Sequence, residues 1–264
     1  VNFFYFISLG TSLVLVLLYT PIRIMTLKVK GTNEGFKTEA LIENYLNGKK
    51  VTKLKASKIK DFIYYICNEN NIKIDQETII TVKNIDKKKF KINGSPKTDK
   101  VFKISKKEFN ISIKSGQGGS FHQEPEGTFL KFLKIETEID DEKVLFLKNF
   151  LRNENINIKN SILAKFFNEK RLILINRVFS GRFNEPDVDY YFFCPKIKKE
   201  DSKEIKINKI EKGKYLKKSS LIKLVNNNVS KGACPVGLLT FQAYNRKRGT
   251  DIQFKWGTCY HDIK

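Results

Sequence analysis

The chain has 264 residues, of which 41% are hydrophobic and 12% are aromatic, and this composition excludes a predominantly disordered protein. Fifty lysines and arginines against 28 acidic residues give a net charge of +22. This balance favours a polyanionic partner such as nucleic acid, because neutralised phosphates release counterions. The four cysteines form no CxxC pair, which disfavours a disulfide framework and a zinc ribbon and favours reduced thiols in the cytoplasm.

The first 22 residues carry no charge, and residues 3–18 are almost continuously apolar. Three interpretations of this segment stay open: a membrane span, a buried helix, or an upstream segment that precedes a start at Met25, the only methionine. As a membrane span it would leave the rest of the chain on the cytoplasmic side, because basic residues follow it. We therefore separate an apolar N-terminal segment, residues 1–24, from the functional domain, residues 25–264.

The functional domain alternates between helical and strand-like patterns. Amphipathic spacing predicts helices over 36–46, 59–66, 141–152 and 160–175. Ser161 is the expected N-cap of the last helix, and Asn47-Gly48 is the expected end of the first. Short β-type runs cover 76–114, 237–244 and 251–256, whereas the lysine-rich residues 196–220 predict an exposed, partly mobile segment. The sequence therefore predicts a mixed α/β fold.

One predicted hairpin carries residues suited to metal-dependent hydrolysis of a phosphodiester. Asp99 precedes a strand over 101–104, and a turn connects this strand to a returning strand over 108–114. The two-residue period places Ser112 and Lys114 on one face of the returning strand, opposite an apolar face. A hairpin of this size brings Asp99 alongside Lys114. Such hydrolysis needs carboxylates that hold a metal ion and a cation near the attacking water.

These residues resemble the PD-(D/E)xK nuclease pattern, with Ser112 at the position of the motif's glutamate. A hydroxyl is a poor substitute for a carboxylate at a magnesium site, so we expect a second acid to join Asp99. The first candidate is Glu39, because the segment GFKTEALIENYL is similar to the opening helix of this superfamily. The second candidate is Glu124, which follows the hairpin.

Two segments give a more specific resemblance. Residues 111–124, ISIKSGQGGSFHQE, resemble a subset of type II restriction endonucleases in which a strand ending S-x-K-S-G leads into a loop ending H-x-E. Residues 238–257 are similar to the terminal hairpin of those enzymes. The resemblance implies a restriction-endonuclease-like core with a mixed β-sheet flanked by helices, Mg²⁺ dependence and a homodimer. It also implies cleavage of a short double-stranded DNA sequence, without an organic cofactor.

The terminal hairpin of this nuclease domain carries side chains that read base edges or bind phosphates. We predict DNA contacts from this hairpin and from the loop after Lys114, through His122, Gln123, Gln242, Asn245, Arg246, Arg248, Gln253 and Lys255. The alternative for the hairpin is a solvated edge with basic residues that prevent aggregation.

Two further alternatives concern the site and the activity. Pro186-Asp187 with Glu204-Ile205-Lys206 matches the literal motif, but the charged segment between them suits a buried hairpin poorly, so the sequence favours Asp99 and Lys114. A non-catalytic nucleic-acid-binding protein, a membrane-tethered protein and a repair or junction nuclease remain alternative functions.

Overall fold

The computed structural model describes residues 34–90, 97–115, 120–180, 185–195, 212–244, 251–257 and 259–263. The apolar segment 1–24 and the predicted DNA contacts Asn245, Arg246 and Arg248 lie outside these residues, as do Glu204 and Lys206. Among the described helices, none has the length and apolar character needed to cross a membrane.

The strands and helices are numbered in chain order. The strands are β1 (Lys49–Lys50), β2 (Ile79–Lys83), β3 (Lys100–Ile104), β4 (Lys107–Ser115), β5 (Ser120–Pro125), β6 (Tyr190–Cys194), β7 (Lys214–Lys217), β8 (Pro235–Val236), β9 (Leu239–Tyr244) and β10 (Asp251–Lys255). The helices are α1 (Glu34–Leu46), α2 (Lys58–Glu69), α3 (Glu126–Glu136), α4 (Asp141–Arg152), α5 (Ile162–Glu169), α6 (Arg171–Phe179), α7 (Lys218–Asn226) and α8 (Cys259–Asp262).

The larger sheet has six strands in the order β1-β2-β3-β4-β6-β7. All neighbouring pairs are antiparallel except β4 and β6, which run parallel with Ile111 opposite Tyr190. A parallel pair needs a long crossover, and here β5 and the helices α3 to α6 provide it. The sequence of β6, YYFFC, is buried at every position, which is typical of a central strand covered on both faces.

Two apolar cores cover the faces of this sheet. On one face, α1 and α2 pack against it through residues such as Ile42, Phe62 and Phe192. On the other face lie α3 to α7 and a smaller antiparallel sheet, with strand order β5-β10-β9-β8. Phe167 and Phe241 meet there edge to face at 4.8 Å. The large sheet is therefore sandwiched between a helical layer and a layer that contains the small sheet.

Several predicted elements are confirmed. The helices predicted over 36–46, 59–66 and 141–152 correspond to α1, α2 and α4, and both predicted hairpins form antiparallel pairs. Ser161 caps α5, since its hydroxyl accepts a hydrogen bond from the amide of Ala164 at 3.1 Å. The first helix ends as expected, because Gly48 adopts a left-handed conformation with φ of +74°.

Three predictions about the elements were wrong. The helix over 160–175 is two helices, α5 and α6, that meet at Lys170, so that each helix can turn its own apolar stripe into the core. The loop expected after Lys114 contains β5. Residues 214–226, of which the first seven were expected in an exposed mobile segment, form β7 and α7, because β7 pairs with the buried β6. Residues 196–211 lie outside the described part of the chain.

Candidate active site

Asp99 lies at the start of the β3–β4 hairpin, and its backbone extends the strand pairing. The amide of Asp99 donates to the carbonyl of Ile111 at 2.9 Å. Its Oδ2 accepts hydrogen bonds from the amide of Ile113 at 2.6 Å, from Ser112 Oγ at 3.0 Å and from Lys114 Nζ at 3.4 Å. Three donors on β4 thus hold one carboxylate oxygen in a fixed orientation.

Ser112 and Lys114 serve Asp99 in different ways. Ser112 is fully buried, and its hydroxyl donates a hydrogen bond to Asp99, so it orients the carboxylate from the interior of the protein. The Lys114 side chain is 22% exposed and that of Asp99 is 17% exposed, so both remain accessible to a molecule at the surface. The two-residue period predicted from the sequence explains this arrangement, because Phe109, Ile111 and Ile113 are buried on the opposite face.

Glu39 approaches the same site from α1. Burial, and after it the charge of Asp99, raise the pKa of Glu39, while the charges of Lys100 and Lys114 oppose this rise, and the resulting pKa is about 7. Glu39 is therefore close enough to Asp99 and Lys114 to interact with both. Two carboxylates that repel each other in this way are suited to sharing a cation.

The donor set fits magnesium better than a transition metal. Within the described residues, no group of three or more His, Cys, Asp and Glu side chains is placed to hold a metal ion. Magnesium needs no such cage, because it is usually held by one or two carboxylates together with water and substrate phosphate oxygens. Asp99 and Glu39 are the residues that would hold it.

Glu124, the other candidate acid, lies in a separate buried cluster. Its Oε2 accepts from Arg177 NH2 at 2.8 Å, and its Oε1 contacts His122 Nε2 at 2.7 Å. Burial opposes ionisation of Glu124, but the hydrogen bonds and charges of His122 and Arg177 outweigh it and lower the pKa to about 2. The side chain is 1% exposed, and its carboxylate oxygens face His122 and Arg177. The charge of Asp99 therefore acts on Glu39, whereas the carboxylate of Glu124 is bound by His122 and Arg177.

His122, one of the predicted DNA contacts, is also buried, with only 2% of the residue exposed. Burial and the charge of Lys97 lower the pKa of His122 to about 4, although Glu124 acts in the opposite direction. The neutral ring must carry its proton on Nε2, because the ionised Glu124 can only accept a hydrogen bond. Nδ1 then has no partner among the described residues. His122 consequently holds the side chain of Glu124 in place on β5, and Glu124 in turn binds Arg177 of α6.

The buried histidine predicts a pH dependence of stability. In the unfolded chain His122 binds a proton near its ordinary pKa of 6.5, whereas in the folded chain it stays neutral down to about 4. The unfolded state thus binds more protons in this window, so the free energy of unfolding should decrease as the pH falls from 6.5 to about 4. Urea denaturation across this range, compared with His122→Gln, would measure it. The advantage of the wild type over the variant should shrink towards low pH, and a constant difference would contradict this assignment.

Of the alternative motif, the structure describes Asp187 but neither Glu204 nor Lys206. The Asp187 side chain is 62% exposed and forms an ion pair with Lys218. Its carbonyl accepts from Asn110 Nδ2 at 3.0 Å, and Asn110 lies four residues before Lys114 on β4, roughly 13 Å along the strand. The Lys206 partner lies outside the described residues.

Three glutamines form a row across the small sheet. Gln253 on β10 is registered with Gln123 on β5 and with Gln242 on β9. Gln253 is only 3% exposed, and its Oε1 accepts from Gln242 Nε2 at 2.7 Å. Gln123 Nε2 donates to Asp251 Oδ2 at 3.2 Å. Gln123, Gln242 and Lys255 are half-buried, so they are more accessible than Gln253.

Sequence reasoning missed the burial of three basic residues in the described part of the chain, Arg177, Lys97 and Lys100. Arg177 is 8% exposed and Lys97 is 9% exposed, and Lys97 Nζ donates to the carbonyl of Phe121. A signal for Arg177 was present, since it falls three residues after Leu174 on the apolar stripe of α6. A charge at such a position needs a buried partner.

Comparison with known proteins identifies the fold. No protein-family model matches the chain, and no curated protein matches it. Among solved structures, the chain is similar to the restriction endonuclease MspI in complex with its cognate DNA, with a TM-score of 0.57 and 14% identity. The similarity covers 83% of this chain and 87% of that chain. The chain therefore has a restriction-endonuclease-like fold, a mixed six-stranded sheet flanked by helices, as its sequence predicted.

Proposed function

We propose that this protein is a magnesium-dependent, sequence-specific endonuclease that cleaves double-stranded DNA, as type II restriction enzymes do. The observation that carries the proposal is the Asp99–Lys114 pair on the β3–β4 hairpin, with Glu39 on α1 close enough for the charges of both to act on it. This arrangement occurs in a fold shared with a restriction endonuclease whose structure contains DNA. The net charge of +22 supports a polyanionic substrate.

The proposed mechanism assigns each residue a distinct role. Asp99 and Glu39 supply carboxylate oxygens for the metal ion, and the amide of Ile113 and the hydroxyl of Ser112 keep Asp99 oriented. Bound magnesium would lower the pKa of water and neutralise charge on the phosphorane. Lys114 positions the attacking water or stabilises the negative charge that develops on the phosphate.

The test is cleavage of phage DNA by the full-length chain with magnesium, with calcium, or with a chelator. We expect discrete fragments with magnesium and intact DNA in the other two reactions. Binding without cleavage in magnesium would instead indicate a non-catalytic nucleic-acid-binding protein. We also propose a homodimer, which would place one Asp99 on each strand of the duplex. Single-strand nicks made by a monomer would argue against it.

For DNA recognition, the two half-buried glutamines at the ends of the row, Gln123 and Gln242, are the best candidates. An amide can pair with adenine N6 and N7, and Gln242 is better exposed than Gln253, whose carbonyl oxygen is already bonded. We therefore propose that Gln242 and Gln123 read bases, that Gln253 positions Gln242, and that Lys255 binds phosphate. Asn245, Arg246 and Arg248 remain predicted DNA contacts from the sequence.

These assignments predict two kinds of binding defect. Gln242→Ala should relax specificity at one base pair, at a cost of about 1–3 kcal/mol, whereas Lys255→Ala should weaken binding to all sequences and reduce the salt slope by about 1. Binding to cognate and singly substituted duplexes at two salt concentrations would separate the two. If both variants discriminate like the wild type, the small sheet is not the recognition surface.

A further inference from the structure

Lys100, the residue after Asp99, is a buried lysine with two defined partners. Its Nζ lies 2.5 Å from Glu43 Oε2 and 2.7 Å from Asn84 Oδ1, and the residue is only 5% exposed. One ammonium group therefore connects β3, the helix α1 and the segment after β2. A buried ammonium is costly unless it is paired, so these bonds fix its position firmly.

The partner on α1 lies one helical turn from the proposed metal ligand. Glu43 follows Glu39 by four residues, so both side chains lie on the same side of α1. On the other side of the bond, Lys100 follows Asp99 directly. The ion pair thus joins the helix that carries one carboxylate to the strand that carries the other.

Apolar packing alone would not fix the distance between α1, which carries Glu39, and the strand that begins beside Asp99. Ile42 and Leu46 anchor α1 in the core, but apolar contacts are non-directional and allow small rotations and shifts of a helix. A bond between a buried ammonium and a carboxylate has a preferred length and direction. Stability alone does not explain why the Lys100–Glu43 ion pair is present, since buried ion pairs can often be replaced by apolar residues without loss of stability.

We propose that Lys100 is a positioning residue, whose bond to Glu43 holds α1 so that Glu39 and Asp99 bind one divalent cation together. This inference rests on the proposed metal site. Lys100 is not a catalytic residue in this scheme, because its ammonium is engaged by Glu43 and Asn84.

The experiment measures Mn²⁺ binding to the full-length chain by electron paramagnetic resonance, which needs no cleavage activity. Lys100→Met should weaken Mn²⁺ binding by about 10-fold or more, as is typical when a group that orients a metal ligand is lost. Glu43→Gln should have a similar effect, and the double variant should bind no more weakly than the weaker single variant. Lys103→Met is the matched control, because Lys103 is exposed on the same strand. It should bind like the wild type.

Two controls separate the possible outcomes. Glu43 is 31% exposed, so Glu43→Gln should fold even if Lys100→Met does not, and wild-type Mn²⁺ affinity in Glu43→Gln would overturn the inference. Asp99→Asn tests the metal site itself. If Asp99→Asn loses Mn²⁺ while Lys100→Met retains it, only the positioning role is rejected. If Asp99→Asn binds Mn²⁺ like the wild type, the proposed metal site is rejected, and the role of Lys100 with it.

Discussion

Asp99→Asn should reduce the rate of magnesium-dependent DNA cleavage by a factor of about 10²–10³ or more, because it removes a charge that the transition state requires. Asparagine has the shape of aspartate and can still accept from Ser112 and from the amide of Ile113, so the hairpin should keep its fold. Single-turnover cleavage at saturating enzyme would measure the rate, and binding in calcium would show that DNA affinity persists.

Asp187→Asn is the matched control for this prediction. Asp187 belongs to the alternative motif, and its side chain is 62% exposed in an ion pair with Lys218. We expect the control to cleave at the wild-type rate. The opposite result, an inactive Asp187→Asn and an active Asp99→Asn, would move the catalytic centre to Asp187.

Glu124→Gln should destabilise the protein by about 3–5 kcal/mol, because it removes the negative charge that Glu124 places against the buried Arg177. Arg177 and Glu124 have side chains that are 7% and 1% exposed, so water cannot compensate for the loss. Urea denaturation at neutral pH would give the change in the free energy of unfolding.

Two comparisons make this prediction specific. Glu77→Gln removes the partner of Lys50 in a pair whose side chains are 79% and 33% exposed, and should cost at most about 1 kcal/mol. The magnesium concentration for half-maximal cleavage should be unchanged in Glu124→Gln if Glu124 only braces β5. A large rise in that concentration, with normal stability, would restore Glu124 as a metal ligand.

What the sequence could predict was set by local periodicity. The alternation in β4 was sufficient to place Ser112 and Lys114 on one face and to bring Asp99 beside Lys114, because a hairpin joins residues that are close in the chain. The amphipathic helices α1, α2 and α4 followed from spacing alone. The all-buried strand β6 has no alternation, so its position beside β4 was visible only in the structure.

The choice of second acid depended on contacts that no local pattern encodes. Glu124 follows Lys114 by ten residues, whereas Glu39 precedes Asp99 by sixty. In the fold, the charge of Asp99 acts on Glu39 of α1, and α6 provides Arg177 for Glu124. The burial of Gln253 could likewise not be predicted from the sequence, because it depends on the neighbouring strands, whose residue Gln242 donates a hydrogen bond to it.

The position of β10 in the small sheet has a consequence for biosynthesis. Among the described strands of that sheet, β5 lies at the edge and pairs with β10. Because β10 comprises residues 251–255, this pairing cannot form until those residues have been synthesised. The β3–β4 hairpin has no such delay, because its two strands are adjacent in the chain. Distant pairings form late and slowly. A nascent chain would thus complete the Asp99–Lys114 hairpin well before its glutamine row, and the surface proposed to read DNA would form after the surface proposed to bind metal.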